Sequence, residues 1–241
     1  MREYLLLGPG SPINLSIATC LNSEKNIKLT WLVVEDSKFP HSTDIGALSK
    51  VNFILVKRDQ GLLKSLEELN PKNGFKGVVY AEGIGGVRPV KLVNDGFIQD
   101  MFQANVFRFF ELVRALIKSK NIADGSSILT LSSVSSIKGL KSKAVYSASK
   151  AALDGAVRGI AAELAPKGIR VNSILKGWVD ADMSLDFIKN NLTLSQNDDL
   201  ALQPLGPIQP KELANLIKFL LSNQVKSITG TSIIVDGGYT L

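Results

Sequence analysis

The stretch YSASKAALDGAVRGIAAELAPKGIRVNSIL, residues 146–175, joins a helical pattern to a strand pattern and thereby predicts the fold. Apolar residues recur at helical spacing over residues 143–164, and Pro166 together with Gly168 ends that helix. The apolar run at 170–175 then has the length and composition of a buried strand. A helix that leads directly into such a strand is the repeating unit of a parallel α/β sheet.

The rest of the chain repeats this alternation. Further strand-like runs are YLLL (4–7), LTWLVV (29–34), VNFILV (51–56), GVVY (77–80), SILTL (127–131) and SIIVD (232–236), and further helical stretches cover 97–118 and 210–221. Strands that alternate with helices are connected by right-handed crossovers. We therefore predict an α/β fold in which residues 1–241 form one doubly wound, Rossmann-like domain, with a parallel seven-stranded sheet and helices on both faces.

Composition excludes several classes of protein. The chain has 45% apolar and 21% charged residues, with one cysteine and one histidine. No apolar run approaches the ~18 residues of a membrane span, and the scattered lysines behind the net charge of +6 do not interleave with aromatic residues as a nucleic-acid platform requires. No metal-ligand spacing occurs. We expect a soluble cytoplasmic protein that uses neither a metal, nor a membrane, nor nucleic acid.

Three side chains predict a chemical site. Tyr146 and Lys150 are four residues apart and share one helix face. A phenol has a reference pKa near 10, and a cation one helical turn away favours the phenolate, so the pair can act as acid and base. Ser133, 13 positions before Tyr146 at the end of a predicted strand, can hydrogen-bond the same substrate oxygen. This arrangement suits hydride-transfer chemistry on a carbonyl or an alcohol.

Each of these residues also has a simpler interpretation. Tyrosine and lysine four residues apart are common on exposed helices. Serines in a turn after a strand are usually turn residues, and Ser132, Ser135 and Ser136 compete with Ser133 for the proposed role. Asn105 could bond only its own backbone within a helix. The joint spacing of these residues is what favours the functional interpretation.

That joint register resembles the classical short-chain dehydrogenase/reductase family. The resemblance runs from Leu5 to Gly238 and is carried by Asn105, Ser133, Tyr146, Lys150, GIRVN (168–172) and ITGTSIIVDGG (228–238). It implies catalysis by Tyr146, Lys150 and Ser133, a bond from Lys150 to the nicotinamide ribose, and a water-mediated proton relay that includes Asn105. It also implies a homo-oligomer, either a tetramer or a dimer, in which the long helices pack across two-fold axes.

The same resemblance implies a cofactor site with several departures from the family pattern. Its contacts would be Gly8, Ser11, Ile13, Glu35, Asp36, Asp59, Gly83, Lys150, Gly177 and Val179. Five positions depart from the pattern around this one ligand: Pro12, Asn14, Ala81, Lys176 and Ala181. Asn14 adds a side chain where a glycine normally lets the backbone approach the pyrophosphate, and Pro12 removes an N–H donor. An alternative function is therefore a cofactor-impaired binding or regulatory protein that keeps the fold.

Cofactor choice depends on the end of the second strand. In VVEDS, a carboxylate from Glu35 or Asp36 would bond the ribose hydroxyls and repel a 2′-phosphate, which favours NAD over NADP. Lys38, Lys57 and Arg58 could instead answer a 2′-phosphate. Glu82 could face solvent, or its charge could lie near the cofactor.

The polar segment 181–210 follows a strand end where open α/β sheets place ligands. We predict that it is a substrate lid, with a plain surface insertion as the alternative. The substrate itself, a small-molecule carbonyl or alcohol, is not identified by the sequence. The Tyr-x-x-x-Lys interval favours carbonyl chemistry over enoyl reduction, for which related enzymes use a longer interval.

Overall fold

Seven parallel strands form the centre of the computed structural model, which describes residues 1–35, 48, 50–57, 61–69, 71–180 and 203–241. The strands are β1 (Arg2–Leu7), β2 (Ile27–Val34), β3 (Val51–Val56), β4 (Phe75–Tyr80), β5 (Ile122–Ser133), β6 (Arg170–Lys176) and β7 (Ser232–Val235). Their order in the sheet is β3-β2-β1-β4-β5-β6-β7. Each predicted apolar run overlaps one of these strands, with Asp236 of the last run lying one residue past β7, so the prediction of a seven-stranded parallel sheet is confirmed.

Helices cover both faces of this sheet. They are α1 (Pro12–Asn22), α2 (Gly61–Glu67), α3 (Asp95–Phe102), α4 (Arg108–Lys118), α5 (Ala144–Leu164) and α6 (Pro210–Leu221). Alternate residues of β1 show the two layers: Leu5 and Leu7 pack in the core shared with α2, α4 and α5, whereas Tyr4 and Leu6 pack in the core shared with α1 and α6. Burial on both faces explains why the strands are almost continuously apolar.

One predicted helix differs from the observed structure. The pattern over 97–118 predicts a single helix, but α3 and α4 are joined by a π-helical turn at Gln103–Phe107. A π turn adds one residue to a single helical turn, and this local change is too small for the apolar spacing averaged over 97–118 to reveal. Asn105, one of the predicted site residues, lies in the middle of this turn.

The strand order also defines where a ligand can bind. Both β2 and β4 pair with β1. The chain adds β2 and β3 on one side of β1 and then crosses back to add β4 and the later strands on the other side. Loops at the carboxyl ends of β1 and β4 diverge to opposite faces and leave a crevice, the usual ligand site of a doubly wound sheet. Among the described helices, none combines the length and the apolar character needed to cross a bilayer.

Candidate active site

Ser133 is the last residue of β5 and lies at the carboxyl edge of the sheet. Its hydroxyl accepts a hydrogen bond from the Ser135 N–H and donates one to Ser135 Oγ, both at 3.1 Å. These bonds come from the short 3-10 turn at 134–136 that directly follows the strand. The buried Ser132 hydroxyl, on the neighbouring strand position, has no hydrogen-bond partner.

Tyr146 and Lys150 lie in the first two turns of α5, as the four-residue spacing predicts. The Lys150 ammonium is 5.9 Å from the centroid of the Tyr146 ring. Its Nζ donates a hydrogen bond of 3.0 Å to the Leu131 carbonyl, two residues before Ser133 on β5. That bond holds the amino end of α5 against the end of β5, and it thereby brings the lysine and the serine to the same edge of the sheet.

Burial changes the electrostatics of Lys150. Only 5% of its surface is exposed, and this loss of solvent lowers the Lys150 pKa to about 8. The Lys176 charge also lowers this pKa, whereas Asp154 and Glu82 raise it. Lys176 is the register partner of Ser133 on the adjacent strand β6, so its side chain emerges on the same face of the sheet. Two ammonium groups and two carboxylates therefore influence one another at this edge of the sheet.

Asn105 is fully buried and connects the π turn to two other elements. Its Oδ1 accepts the Ile84 N–H at 2.9 Å, and its Nδ2 donates to the Ile84 carbonyl at 3.0 Å and to Ser149 Oγ at 2.9 Å. The amide thus fixes the loop after β4 against α5. In this structure its side chain positions the loop, and the water-mediated relay stays a prediction. Ser149 lies within YSASK, but its contact with Asn105 is not evident from the sequence, because the two residues are 44 positions apart.

Gly83 brings the loop after β4 into contact with these side chains. Its φ of +148° is accessible to glycine, and an added Cβ would lie 2.6 Å from Asn105 Oδ1 and 3.3 Å from Lys150 Nζ. A larger residue would displace both side chains. Gly83 therefore lies beside Lys150, and its contact with a cofactor stays a prediction.

The environment of Glu82 excludes one of the two interpretations of this residue. Only 5% of it is exposed, and its carboxylate pairs with the Arg108 guanidinium of α4 at 3.5 Å, so a solvent-facing Glu82 is wrong. The sequence could not reveal this pair because Arg108 is 26 residues away. The carboxylate raises the pKa of Lys150 and follows the carboxyl end of β4.

The loop between β1 and α1 matches a dinucleotide site only in part. Ser11 caps α1, its Oγ accepting the Asn14 N–H at 3.2 Å, and Pro12 has no N–H. Of the first three helical residues, Ile13 is thus the one whose N–H stays available to a phosphate. The donor set fits a pyrophosphate held by fewer backbone N–H groups than an unsubstituted glycine loop provides.

Asn14 fills the space that a glycine would leave empty. Its Nδ2 donates to the Pro9 carbonyl at 2.9 Å, and an added Cβ on Gly8 would lie 2.4 Å from the same nitrogen. Its Oδ1 is buried without a hydrogen-bond partner. Gly8 therefore tolerates no side chain here, and the loop is shaped by the Asn14 amide instead of by a second and third glycine.

Replacing Asn14 with glycine should tighten cofactor binding by about fivefold, or about 1 kcal/mol, because the backbone of the loop can then approach the pyrophosphate. Calorimetric titration of NADH into the wild type and the variant measures the change. Asn14→Ala is the control, since it removes the amide without adding glycine's backbone freedom. An unchanged or larger dissociation constant for Asn14→Gly would show that the asparagine does not obstruct the loop.

The remaining predicted cofactor contacts lie at successive strand ends. Glu35 is exposed directly after β2, and its N–H donates to the Val56 carbonyl at 3.0 Å. Asp36, Asp59 and the basic alternatives Lys38 and Arg58 lie outside the described residues. Of the two carboxylates predicted at the end of the second strand, Glu35 is the one among the described residues.

Gly177 and Val179 follow β6 on a segment that bridges to Ile208. Because the Asp180 N–H and the Trp178 carbonyl bond to Ile208, the backbone N–H and carbonyl of Val179 point the other way. The Val179 side chain itself is buried in the core.

Gln203 anchors the far end of the predicted lid. Its Oε1 accepts the Trp178 N–H at 3.0 Å, and its Nε2 donates to the carbonyls of Trp178 and Gly206. Residues 203–209 are thereby held against the segment after β6. The remainder of the lid, residues 181–202 with Ala181, lies outside the described residues, so the lid stays a prediction.

Comparison with known proteins identifies the family. Residues 66–240 match the family model described as Enoyl-(Acyl carrier protein) reductase. The chain is 34% identical over 243 residues to the uncharacterized oxidoreductase YmfI of Bacillus subtilis (strain 168), with 99% of this chain and 98% of that protein covered. It is 30% identical over 199 residues to the L-2,3-butanediol dehydrogenase of Corynebacterium glutamicum, with 78% and 74% covered.

A solved structure gives the same result. A short chain dehydrogenase family protein from Francisella tularensis subsp. tularensis SCHU S4 superposes with a TM-score of 0.84 at 26% identity, covering 100% of this chain and 99% of that one. The chain belongs to the short-chain dehydrogenase/reductase family and is an oxidoreductase. Enzymes of this family use nicotinamide dinucleotides and act on small-molecule substrates.

Proposed function

We propose that this enzyme interconverts a carbonyl and a secondary alcohol with a nicotinamide dinucleotide. The observation that carries the proposal is the convergence of Ser133, Tyr146 and a buried Lys150 at the carboxyl edge of β5, joined by the bond from Lys150 to the Leu131 carbonyl. The cofactor would supply or accept the hydride at the substrate carbon. The side chains would manage the substrate oxygen.

In the reductive direction, Tyr146 donates its phenolic proton to the carbonyl oxygen as negative charge develops there. Ser133 donates a hydrogen bond to the same oxygen and fixes its distance from the tyrosine. The Lys150 ammonium, 5.9 Å from the tyrosine ring, stabilises the phenolate that remains. In the oxidative direction, the phenolate accepts the alcohol proton, and the other two roles are unchanged.

Residues at four strand ends would hold the cofactor. The N–H of Ile13 at the amino end of α1 would bind the pyrophosphate, and Glu35 after β2 would bind the adenine ribose. Gly83 after β4 would lie against the nicotinamide ribose together with Lys150, and the Val179 backbone after β6 would bond the nicotinamide amide. This path follows the crevice between β1 and β4 and continues to the edge of β6.

Enoyl reduction is the second candidate, because the matching family model carries that description. The three-residue interval between Tyr146 and Lys150 favours carbonyl chemistry instead. A saturated product from an α,β-unsaturated thioester, with no activity on ketones, would decide for enoyl reduction.

We also propose a homotetramer, with a dimer as the alternative. Large apolar side chains on the outer surface of α3, the π turn and α4 are partly exposed, namely Ile98, Phe107, Phe110 and Ile117. Contiguous apolar surface of this kind marks an interface between proteins. Burial between two copies would cover this face while leaving the carboxyl edge of the sheet open.

NADH should bind at micromolar concentration and more tightly than NADPH, because the Glu35 carboxylate repels a 2′-phosphate. Calorimetric titration of the purified protein with each nucleotide tests this, and Glu35→Gln should reduce the preference for NADH. Tighter binding of NADPH would overturn the assignment of NAD as the cofactor. Absence of binding by either at millimolar concentration would contradict the proposed function and favour a cofactor-impaired binding or regulatory protein.

A further inference from the structure

An open cavity of about 620 Å³ lies at the amino ends of β1, β4, β5 and β6. This edge of the sheet is opposite to the edge that carries Ser133 and Lys150, and the seven residues of β6 that separate the two edges span about 20 Å. Sites for small molecules have volumes of about 300–1,000 Å³. The cavity is therefore large enough for a ligand and separate from the proposed catalytic site.

An irregularity in β5 opens this cavity. Phe75 pairs with Ile122 and Gly77 pairs with Ser127. From the first pair to the second, β5 advances by five residues whereas β4 advances by two. Asp124 and Gly125 lie within this longer stretch and are exposed, and Gly125 has a φ of +72° with no atom within 4 Å of an added Cβ. The excess length thus forms one wall of the cavity instead of continuing the ladder.

The charges around the cavity are unbalanced. Arg2, Lys76, Arg170 and Lys226 line it, and Asp124 is the one carboxylate among its lining residues. Lys76 Nζ donates to the main-chain carbonyl of Asp124 at 2.9 Å and not to its carboxylate. Within the described ranges, none of the four cations forms an ion pair. Four cations gathered from four separate parts of the chain leave a net positive charge of about three at one place.

Arg170 shows that part of this charge is buried. Only 6% of Arg170 is exposed, and its Nη2 donates to the Leu220 and Ser222 carbonyls at 2.8 and 3.0 Å, which closes the end of α6. Its Nη1 is buried without a hydrogen-bond partner. A buried donor of this kind costs free energy unless an acceptor reaches it. A purely structural cap for α6 would not need the surrounding cations of Arg2, Lys76 and Lys226.

We propose that this cavity, which we name the amino-edge cavity, binds a polyphosphate group, either as a free polyphosphate or as part of a nucleotide. Three net positive charges match a diphosphate, which carries about three negative charges near neutral pH. Guanidinium and ammonium groups are the usual partners of phosphate oxygens. Tyr4 and Leu221 are the large apolar side chains of the lining, and the four cations carry the recognition of the phosphates.

Inorganic pyrophosphate, titrated calorimetrically into the full-length protein in 0.15 M NaCl, tests the proposal. We expect one site per chain with a dissociation constant below about 0.1 mM, and we expect binding to persist when NADH is saturating, because the two sites lie at opposite edges. With NADH saturating, so that the cofactor crevice is filled, ADP should bind with similar affinity and adenosine should not bind. Binding of ADP at least tenfold tighter than that of pyrophosphate would show that the nucleoside also contributes.

Variants assign the binding to this cavity. The double variant Arg2→Gln/Lys226→Gln should weaken pyrophosphate binding by about tenfold or more, whereas Asp124→Asn should strengthen it, a gain that misfolding cannot mimic. Lys211→Gln is the matched control, since Lys211 is exposed at the other end of α6 and does not line the cavity. Absence of binding at 5 mM, equal effects of the control and the double variant, or displacement by NADH would overturn the proposal.

Discussion

Replacing Tyr146 with phenylalanine is expected to lower kcat by about three orders of magnitude while leaving the dissociation constant of the nicotinamide cofactor nearly unchanged. General acid–base catalysis by a positioned side chain typically contributes 10²- to 10⁴-fold. Phenylalanine retains the ring beside Lys150 and loses only the hydroxyl that would exchange the proton. The proposed cofactor contacts of Ile13, Gly83 and Lys150 are untouched by this change.

Steady-state kinetics on a reactive ketone, with NADH titrated in parallel, measures both quantities. Tyr239→Phe is the matched control, because it removes the same hydroxyl from a tyrosine outside the proposed catalytic set and should keep turnover within about threefold of the wild type. Turnover retained by Tyr146→Phe would remove Tyr146 from the acid–base role. A loss of cofactor binding along with turnover would instead assign the tyrosine a role in building the cofactor site.

Replacing Lys150 with methionine should abolish turnover and, at pH 7 without added cofactor, raise the stability of the protein by about 2 kcal/mol. Burial lowers the Lys150 pKa from 10.5 to about 8, and a shift of this size corresponds to a cost of about 3 kcal/mol for holding the ammonium in the folded protein. The lost bond to the Leu131 carbonyl offsets about 1 kcal/mol of the gain. For a chain of this length the net gain is a melting temperature higher by about 4–8 °C.

The gain should depend on pH in a defined direction. Below pH 8 the lysine is charged in both the folded and the unfolded protein, so the full cost of its burial is present. Between pH 8 and 10.5 the folded protein loses this proton while the unfolded chain keeps it, so the wild type becomes more stable relative to the methionine variant as pH rises. The advantage of methionine should therefore shrink across this window.

Thermal melts of the two proteins from pH 6 to pH 10 check this prediction. Lys141→Met is the control. Lys141 is exposed and lies nine residues before Lys150, so this variant should show no comparable gain in stability. Equal or lower stability of Lys150→Met at pH 7 would mean that the ammonium is compensated in the folded protein. In that case Asp154 and Glu82 would balance the charge more fully than its burial indicates.

Local pattern determined most of the architecture. Seven strands and a parallel sheet were predicted from the apolar runs and their alternation with helical stretches, together with helix breakers such as Pro166 and Gly168. This works because strands buried on both faces must be continuously apolar, and helices need a regular apolar stripe. The four-residue spacing of Tyr146 and Lys150 likewise places both side chains on one helix face whatever the surroundings.

Tertiary structure decided the features that depend on the environment of a side chain. Periodicity could not reveal the π turn around Asn105, since one added residue in a single turn changes the apolar spacing too little over the length of the helix. The Glu82–Arg108 pair and the lowered pKa of Lys150 arise from neighbours that lie far away along the chain. Solvent exclusion is a property of the packed molecule, and no single segment contains it.

What the sequence determines and what the tertiary structure determines differ most at the two edges of the sheet. By itself, the sequence determined which segments become strands and which residues of YSASK share a face, because both follow from the short-range geometry of the backbone. Only the tertiary structure brought Arg2, Lys76, Arg170 and Lys226 around one cavity and placed Asn14 against Gly8. The strand order and the register shift in β5 create these proximities, and they are set by the packing of the whole sheet.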